Sequence, residues 1–493
     1  MKSQPKSSIM SSGILKYFFL CILIRAIAAQ NATSYLTRMA DTFIAKGVNP
    51  DHGYQDAVLY LGFEKAYELT QDEKYLDWYI GQIAGPVVQE NGTIKGLNTS
   101  KYILDEYRMG HNYLFLYNQT GEMKYKTAAN TVRRMLNSYP RTPSGGFWHQ
   151  QFFRNQMWLD GIYMADSFYA RWTHLYDRDN TTAWDDILLQ YDLMHTNTIN
   201  ETSGLHVHGW VEGKASWADP TTGRSPNVWG RALGWYFMAL VEVLQFFPTE
   251  HSGYDKLLGY LKSVAAGLKE SRDPESGSWW QVMNEPYPER EGNYIESSGS
   301  AMFTWGLLKA VNLGYLDRDN YLDTARDAFL SLTNNFIEDG EDGSIVLNST
   351  VAECGLSSSN VTFEYYVSRP KLENGQNGVG PFMLAAYEWE AWAEEAYCFD
   401  GAMIMSSEVN IPFEASTLTI DVWSSGGSWS GDMPVWGEAK LEIQWIELAS
   451  NVSTLEPLSV PKKGIACQID PLGNNDGSQR DDDEGGFMGE GGA

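Results

Sequence analysis

Asp160 sits where an acid is hard to keep charged. The stretch Gly145-Gly-Phe-Trp-His149, followed by Asn155-Gln-Met-Trp-Leu-Asp160-Gly-Ile-Tyr-Met164, sets this carboxylate among Trp158, Leu159, Ile162, Tyr163 and Met164. An ionised group there is poorly solvated, so it caps a helix, meets an arginine or does chemistry. Asp105, in Ile103-Leu-Asp-Glu-Tyr-Arg108, is a second carboxylate. Together they would form the pair that general acid and base work on a sugar requires. Taken alone, Asp105 reads as a helix-start acid balanced by Arg108. Apolar neighbours and a second acid push Asp160 up, and a helix N-terminus pulls it down. The upward push is expected to prevail only once a ligand excludes water.

Other residue types gather round this pair. His149 follows Gly-Gly-Phe-Trp, and His208 lies in Gly204-Leu-His-Val-His-Gly-Trp210, both in loops beside tryptophan and glycine. Arg231, in Pro226-Asn-Val-Trp-Gly-Arg-Ala-Leu-Gly-Trp235, has the planar fork that holds a carboxylate bidentately, or else pairs with a core acid. Trp229 and Trp235 offer stacking faces beside it. Asp185 and Asp186 open a helix after Thr181-Thr182 and read as capping residues. No His-x-x-x-His pair or acidic cluster has metal-ligand spacing, so neither a metal nor any other cofactor is expected.

The elements that must position these residues are helical. Apolar residues at three and four spacing predict helices near 33–46, 54–70, 72–84, 103–119, 122–138, 156–177, 181–196, 226–247, 252–270, 297–313, 319–337 and 376–396. Thr70-Gln-Asp-Glu-Lys-Tyr75 and Thr120-Gly-Glu-Met-Lys-Tyr125 are near copies of one turn, and such hairpins recur along the chain. Six hairpins predict an all-α fold, an (α/α)6 barrel with every second helix inside; an open solenoid is the alternative. In the barrel, the inner N-termini meet at one mouth. Tyr54 would open the second helix, Asp105 the fourth, Asp160 the sixth, Arg231 the eighth, and Ser298 with Ser300 the tenth. Positive helix ends aimed at one cavity favour an anionic ligand, one carrying a carboxylate.

The whole chain bounds the reading. Its 493 residues carry a formal charge of −27, which argues against nucleic acid and anionic membranes as partners. Eighteen Trp and 28 Tyr suit a sugar-binding protein, although most must be core. Lys2, Lys6 and Lys16 precede an apolar run from Tyr17, and Ala26-Ile-Ala28 offers a cleavage site, so residues 1–29 read as a signal peptide. Asn-x-Ser/Thr acceptors at Asn31, Asn91, Asn98, Asn118, Asn180, Asn200, Asn348, Asn360 and Asn451 suggest a glycosylated, secreted, extracellular product with no membrane attachment after cleavage. The barrel is expected over 30–396, a small β-rich C-terminal extension over 397–469, and an acidic disordered tail over 470–493. Beyond Cys21, the chain has Cys354, Cys398 and Cys467, which permit one disulfide and one free thiol.

Gly-Gly-Phe-Trp-His149, Gln156-Met-Trp-Leu-Asp160-Gly, His208-Gly-Trp, Trp217-Ala-Asp-Pro, Ser225-Pro-Asn-Val-Trp-Gly-Arg231-Ala-Leu-Gly-Trp235, Ser298-Gly-Ser-Ala-Met-Phe and Gly378-Val-Gly-Pro-Phe occur in this order. Together they resemble unsaturated rhamnogalacturonyl hydrolases, glycoside hydrolase family 105, over roughly residues 35–395. The resemblance implies an (α/α)6 barrel and hydration of the vinyl ether in a 4,5-unsaturated galacturonyl residue linked to rhamnose. It implies Asp160 as proton donor and then base, and Asp105 as second carboxylate. Tyr54, His149, Trp158, His208, Arg231 and Trp235 match substrate-contacting positions. Gln150 stands where a lysine is expected, and the extension past the barrel has no implied role. Unsaturated glucuronyl hydrolases acting on glycosaminoglycan fragments share the implied fold and chemistry. A non-catalytic carbohydrate-binding barrel is the alternative of another class.

Overall fold

The computed structural model describes residues 34–357, 359–399, 408–411, 416–423, 440–444 and 458–459. The signal peptide and acidic tail expected from sequence lie outside the described residues. So do Cys467 and the Cys398 side chain; Cys354 is a free thiol. The chain divides into two compact units, Met1–Ala393 and Glu394–Ala493.

The first unit holds the helices, the last of which runs on past Ala393: α1 Tyr35–Lys46, α2 Tyr54–Thr70, α3 Glu73–Ile83, α4 Gly110–Thr120, α5 Met123–Met135, α6, α7 Thr181–Thr198, α8 Gly230–Leu244, α9 Tyr254–Glu270, α10 Ser297–Asn312, α11 Arg318–Phe336 and α12 Gln376–Phe399. Helix α6 opens as Leu159–Gly161, widens into a π turn at Ile162–Asp166 and continues as Ser167–Tyr176.

Burial separates two rings. In α8 every residue except Glu242 is buried, and in α10 every residue except Lys309 and Asn312. A helix apolar all round belongs in an interior. By contrast α11 buries one stripe, Ala325, Ala328, Phe329, Leu332, Thr333 and Phe336, at the spacing of a helix with one face in solvent. The even-numbered helices close a ring. Asn112 of α4 donates to the Ala57 carbonyl of α2 at 3.1 Å, and His111 of α4 meets Ser167 of α6 at 3.2 Å. Tyr163 of α6 stacks on Trp235 of α8 at 4.7 Å, and Lys309 of α10 pairs with Glu388 of α12 at 3.0 Å. Two glycines allow the remaining contacts. A Cβ on Gly299 of α10 would lie 3.0 Å from the Gly230 carbonyl carbon of α8, and one on Gly380 of α12 would lie 2.6 Å from the Val58 carbonyl oxygen of α2. This is the (α/α)6 barrel read from the repeat, all-α in class.

Capping follows this division only in part, since outer helices α5 and α9 have no side-chain cap. Outer helices α1, α3, α7 and α11 are capped by the side chains of Ser34, Asp72, Asn180 and Asp317. The inner helices α2, α4, α6 and α8 begin without a side-chain cap. Of these, α6 and α8 give their first N–H to backbone instead, Leu159 N to the His208 carbonyl and Gly230 N to the Gln281 carbonyl, while the positive helix ends still favour negative charge at the mouth. In α10 the position is taken: Glu296 accepts from Ser298 N and Gly299 N.

Two boundaries depart from the sequence pattern. The apolar run before Asp160 is not helix: Gln156–Trp158 forms strand β1, antiparallel to β2, Gly209–Val211. Asp105 does not open the fourth helix but lies in a 3-10 turn, Leu104–Tyr107, ahead of it. Helical periodicity continues across both segments, so the pattern alone does not mark the breaks. Short strands Ile337–Asp339, Ile345–Leu347, Thr350–Val351 and Lys371–Leu372 and a helix, Phe363–Val367, join α11 to α12. In the second unit, Glu408–Ile411, Ser416–Trp423, Lys440–Gln444 and Leu458–Ser459 form a four-stranded antiparallel sheet in which sequential strands are neighbours.

Candidate active site

The β1–β2 ribbon builds the site. Its register sets Trp158 opposite Gly209, and Leu159 N donates to the His208 carbonyl at 3.0 Å. Asp160, just inside α6, therefore faces His208, just before β2, and His208 Nε2 lies 3.1 Å from Asp160 Oδ2. Gly209 is needed here, since a Cβ would come within 2.9 Å of the Met157 carbonyl oxygen. A second bridge, Ile103 with Gln150, brings the 3-10 turn alongside: Leu104 N donates to the His149 carbonyl at 3.1 Å. Asp105 Oδ1 is then 3.8 Å from His149 Nε2. Sequence positions 105, 149, 160 and 208 thus converge through two short β contacts.

Burial and charge act differently on the two acids. Asp105 is pushed up to about 7, first by burial and then by the charges of Asp160, Glu353 and Glu106, with Gln150 pulling the other way. Burial also pushes Asp160 up, but His208, through its charge and its hydrogen bond, and then His149 outweigh it, leaving Asp160 below its ordinary value. Below neutrality Asp105 therefore holds a proton, which it gives up around pH 7, while Asp160 is ionised. Burial lowers His149 to about 4, so its ring is neutral, and its buried Nδ1 has no hydrogen-bond partner among the described residues.

Aromatic rings make the wall. Trp158 is stacked by His149 at 4.1 Å and by Phe153 at 5.0 Å, and meets His208 edge-on at 5.7 Å. Tyr54 opens α2 as expected, and its hydroxyl lies 3.5 Å from Glu353 and 3.4 Å from Asn377. Trp235 is fully buried between Tyr163, on which it stacks, and the edge of Tyr54 at 6.4 Å. It supports Tyr54 rather than offering an open face.

Arg231 is placed on the second residue of α8, but its fork is committed within the protein. Nε donates to Ser298 Oγ at 2.8 Å, Nη1 to the Ala352 carbonyl at 3.5 Å and Nη2 to the Val351 carbonyl, with Glu296 Oε1 3.8 Å away. It is 1% exposed. The geometry is that of an arginine paired with a core acid, fixing the loop after Thr350–Val351 to the starts of α8 and α10. Arg108 likewise does not balance Asp105. It is buried and binds Glu242 bidentately at 2.7 and 2.6 Å, 134 residues away, with its guanidinium 3.6 Å above the Tyr163 ring. Asp186 holds Arg141 through two hydrogen bonds, and Asn180 does the capping there.

Glu353 and Tyr366 enter the site without a sequence signal. Glu353 accepts from Gln55 at 2.7 Å, and the Tyr366 hydroxyl lies 2.7 Å from His208 Nδ1. Each reaches its partner across more than 150 residues of chain, beyond any local pattern. Among the described residues no group of three or more His, Cys, Asp or Glu side chains is arranged to hold a metal ion.

Paired acids and histidines at the N-terminal mouth of such a barrel suit the general acid and base chemistry of a glycoside hydrolase. The profile of glycosyl hydrolase family 88 matches residues 28–392, and the chain belongs to that family. It is 37% identical to a glycoside hydrolase from family 105 of C. acetobutylicum, covering 73% of this chain and all of that one, with a TM-score of 0.70. An unsaturated 3S-rhamnoglycuronyl hydrolase of Alteromonas is 23% identical over 348 residues, 68% of this chain and 77% of that protein. The fold is shared with the unsaturated glucuronyl hydrolase of Bacillus sp. GL1, responsible for the degradation of glycosaminoglycan, at 14% identity over 72% of this chain and 95% of that one and a TM-score of 0.55.

Proposed function

We propose that this hydrolase, secreted from the cell, removes the 4,5-unsaturated galacturonyl residue that a lyase leaves at the end of rhamnogalacturonan fragments. The polarised acid pair carries the reading. Asp160 protonates C4 of the vinyl ether: the π electron pair of the C4=C5 double bond forms the new C–H bond, and the positive charge left at C5 is shared with the ring oxygen. Water then adds at C5 and gives a proton back to Asp160, so the acid is regenerated and one water is consumed. The hemiketal opens and the neighbouring sugar leaves. Asp160 is ionised in the empty site, and a bound sugar raises it by excluding water and by bringing its own carboxylate. Binding therefore takes up a proton. Asp105, His149, Trp158, His208 and Tyr54 surround the unsaturated ring, while Arg231 and Trp235 hold the wall behind it.

Hydrolysis of glucuronyl fragments from glycosaminoglycans is the second reading, favoured by the fold shared with the Bacillus enzyme. The two are separated by supplying the unsaturated disaccharide from each type of lyase and following the ultraviolet absorbance of the enol ether. Decay with the rhamnose-linked substrate is expected. Decay with the glucuronyl substrate alone establishes the second reading, and decay with neither makes the barrel a carbohydrate binder.

A further inference from the structure

We propose that Tyr366 is a positioning residue whose hydroxyl, at His208 Nδ1, keeps a hydrogen on His208 Nε2 facing Asp160. This deepens the role given to Asp160 above. The His208 ring is fully buried, with Trp229 at 4.9 Å, Trp158 at 5.7 Å and the Tyr366 ring at 5.9 Å. Aromatic packing does not distinguish a histidine ring from the same ring turned over. Only the two polar contacts do, Tyr366 at 2.7 Å on one nitrogen and Asp160 at 3.1 Å on the other.

The hydrogen count follows from the groups available. Tyr366 is fully buried, and burial holds its phenol far above neutrality, so it remains a hydroxyl. When His208 is neutral and Asp160 ionised, the carboxylate can only accept, so the ring hydrogen sits on Nε2 and Nδ1 accepts from the hydroxyl, whose hydrogen has no other acceptor among the described residues. When His208 is charged, both nitrogens donate, and Asp160 again receives one of them. Asp160 thus accepts a hydrogen bond in either state. Without the hydroxyl, a neutral His208 is free to carry its hydrogen on Nδ1 and turn a lone pair toward Asp160, which then keeps its own proton. The other titratable groups that face this pair, Asp105, His149 and Cys354, touch neither His208 nitrogen within hydrogen-bond distance.

The hydroxyl is itself held in place. Gln281 donates to the Tyr366 carbonyl at 3.0 Å and accepts from Trp229 Nε1 at 3.1 Å, tying the short helix Phe363–Val367 to the start of α8. Asn227 accepts from His208 N at 3.0 Å and donates to the Val361 carbonyl at 2.7 Å. One brace therefore fixes both the backbone of His208 and the helix that supplies its partner.

The test reads proton positions in the ligand-free protein. In wild type, the 15N shifts of His208 are expected to show hydrogen on Nε2 at every pH; a ring with hydrogen on Nδ1 alone overturns the proposal without any variant. In Tyr366→Phe, the 13C carboxyl titration of Asp160, assigned by its loss in Asp160→Asn, is expected to rise by about one pH unit, a tenfold change in proton affinity. An unmoved midpoint in a folded variant overturns it. With substrate, kcat is expected to fall about tenfold at constant KM, with the pH profile displaced alongside the titration. A lower rate with an unmoved profile would mark a merely structural tyrosine and overturns it too. If wild type turns over no unsaturated substrate, the proposed function falls, while the nitrogen and carboxyl titrations still decide the role of Tyr366.

Discussion

Replacing Asp105 with asparagine should change how stability depends on pH. The Asp105 carboxyl has its midpoint at about 7 in the folded protein against an ordinary 3.8. Below pH 4 both states hold the proton. Between about 4 and 7 the folded state keeps a proton that the unfolded state has released, so stability falls as pH rises, by about 1.4 kcal/mol per pH unit. Above 7 the loss is complete. From pH 5 to pH 8 the full effect is about 3 kcal/mol, and because the side chain is 26% exposed, water screens part of it, leaving about 2 kcal/mol. Urea unfolding of wild type and Asp105→Asn at the two pH values reads this directly. The variant should gain on wild type by that amount at pH 8 relative to pH 5. Asp160→Asn supplies a control, since the Asp160 charge is the second cause of the Asp105 shift, and its removal should flatten the wild-type slope. Parallel pH dependences for wild type and Asp105→Asn would refute the assignment of the shared proton to Asp105.

Asp160→Asn should lower turnover of the unsaturated disaccharide by about 10²- to 10⁴-fold while calorimetry finds binding largely kept. Arg108→Met should destabilise the protein by about 3 kcal/mol in urea, because the partly buried Glu242 is left without its partner, and adding Glu242→Gln should recover much of that loss. Gly380→Ala should cost about 1–3 kcal/mol in the same assay, because the new methyl meets the Val58 backbone and forces α12 from α2.

Local pattern made much of this protein legible. The inner helix α8 is apolar on every side, α11 carries one stripe, and their contrast already separates two rings. Asp160, Tyr54 and Arg231 fall on helix starts as their neighbours in sequence require. Partnership was not legible. Arg108 is three residues from Asp105 in sequence, yet pairs with Glu242, because it points into the barrel and the 3-10 turn directs Asp105 to the mouth. Arg231 could be read as a ligand clamp or as the partner of a core acid, and nothing nearby in sequence announces Glu296 or the Val351 carbonyl to decide between them. His208 and Trp158 stood out by type, but their juxtaposition depends on a strand register, and strands of three residues carry too few side chains to declare themselves.

That three-rung ribbon also decides which parts of the chain are free to vary. Everything between Trp158 and Gly209 leaves and returns through one paired doorway, so the loops that join α6 to α7 and α7 to the ribbon can lengthen or shorten without shifting Asp160 from His208. A slip of one rung inside the doorway would turn each side chain to the opposite face. Tolerance to insertion should accordingly be wide in the loops of this excursion and close to nil across residues 156–158 and 209–211.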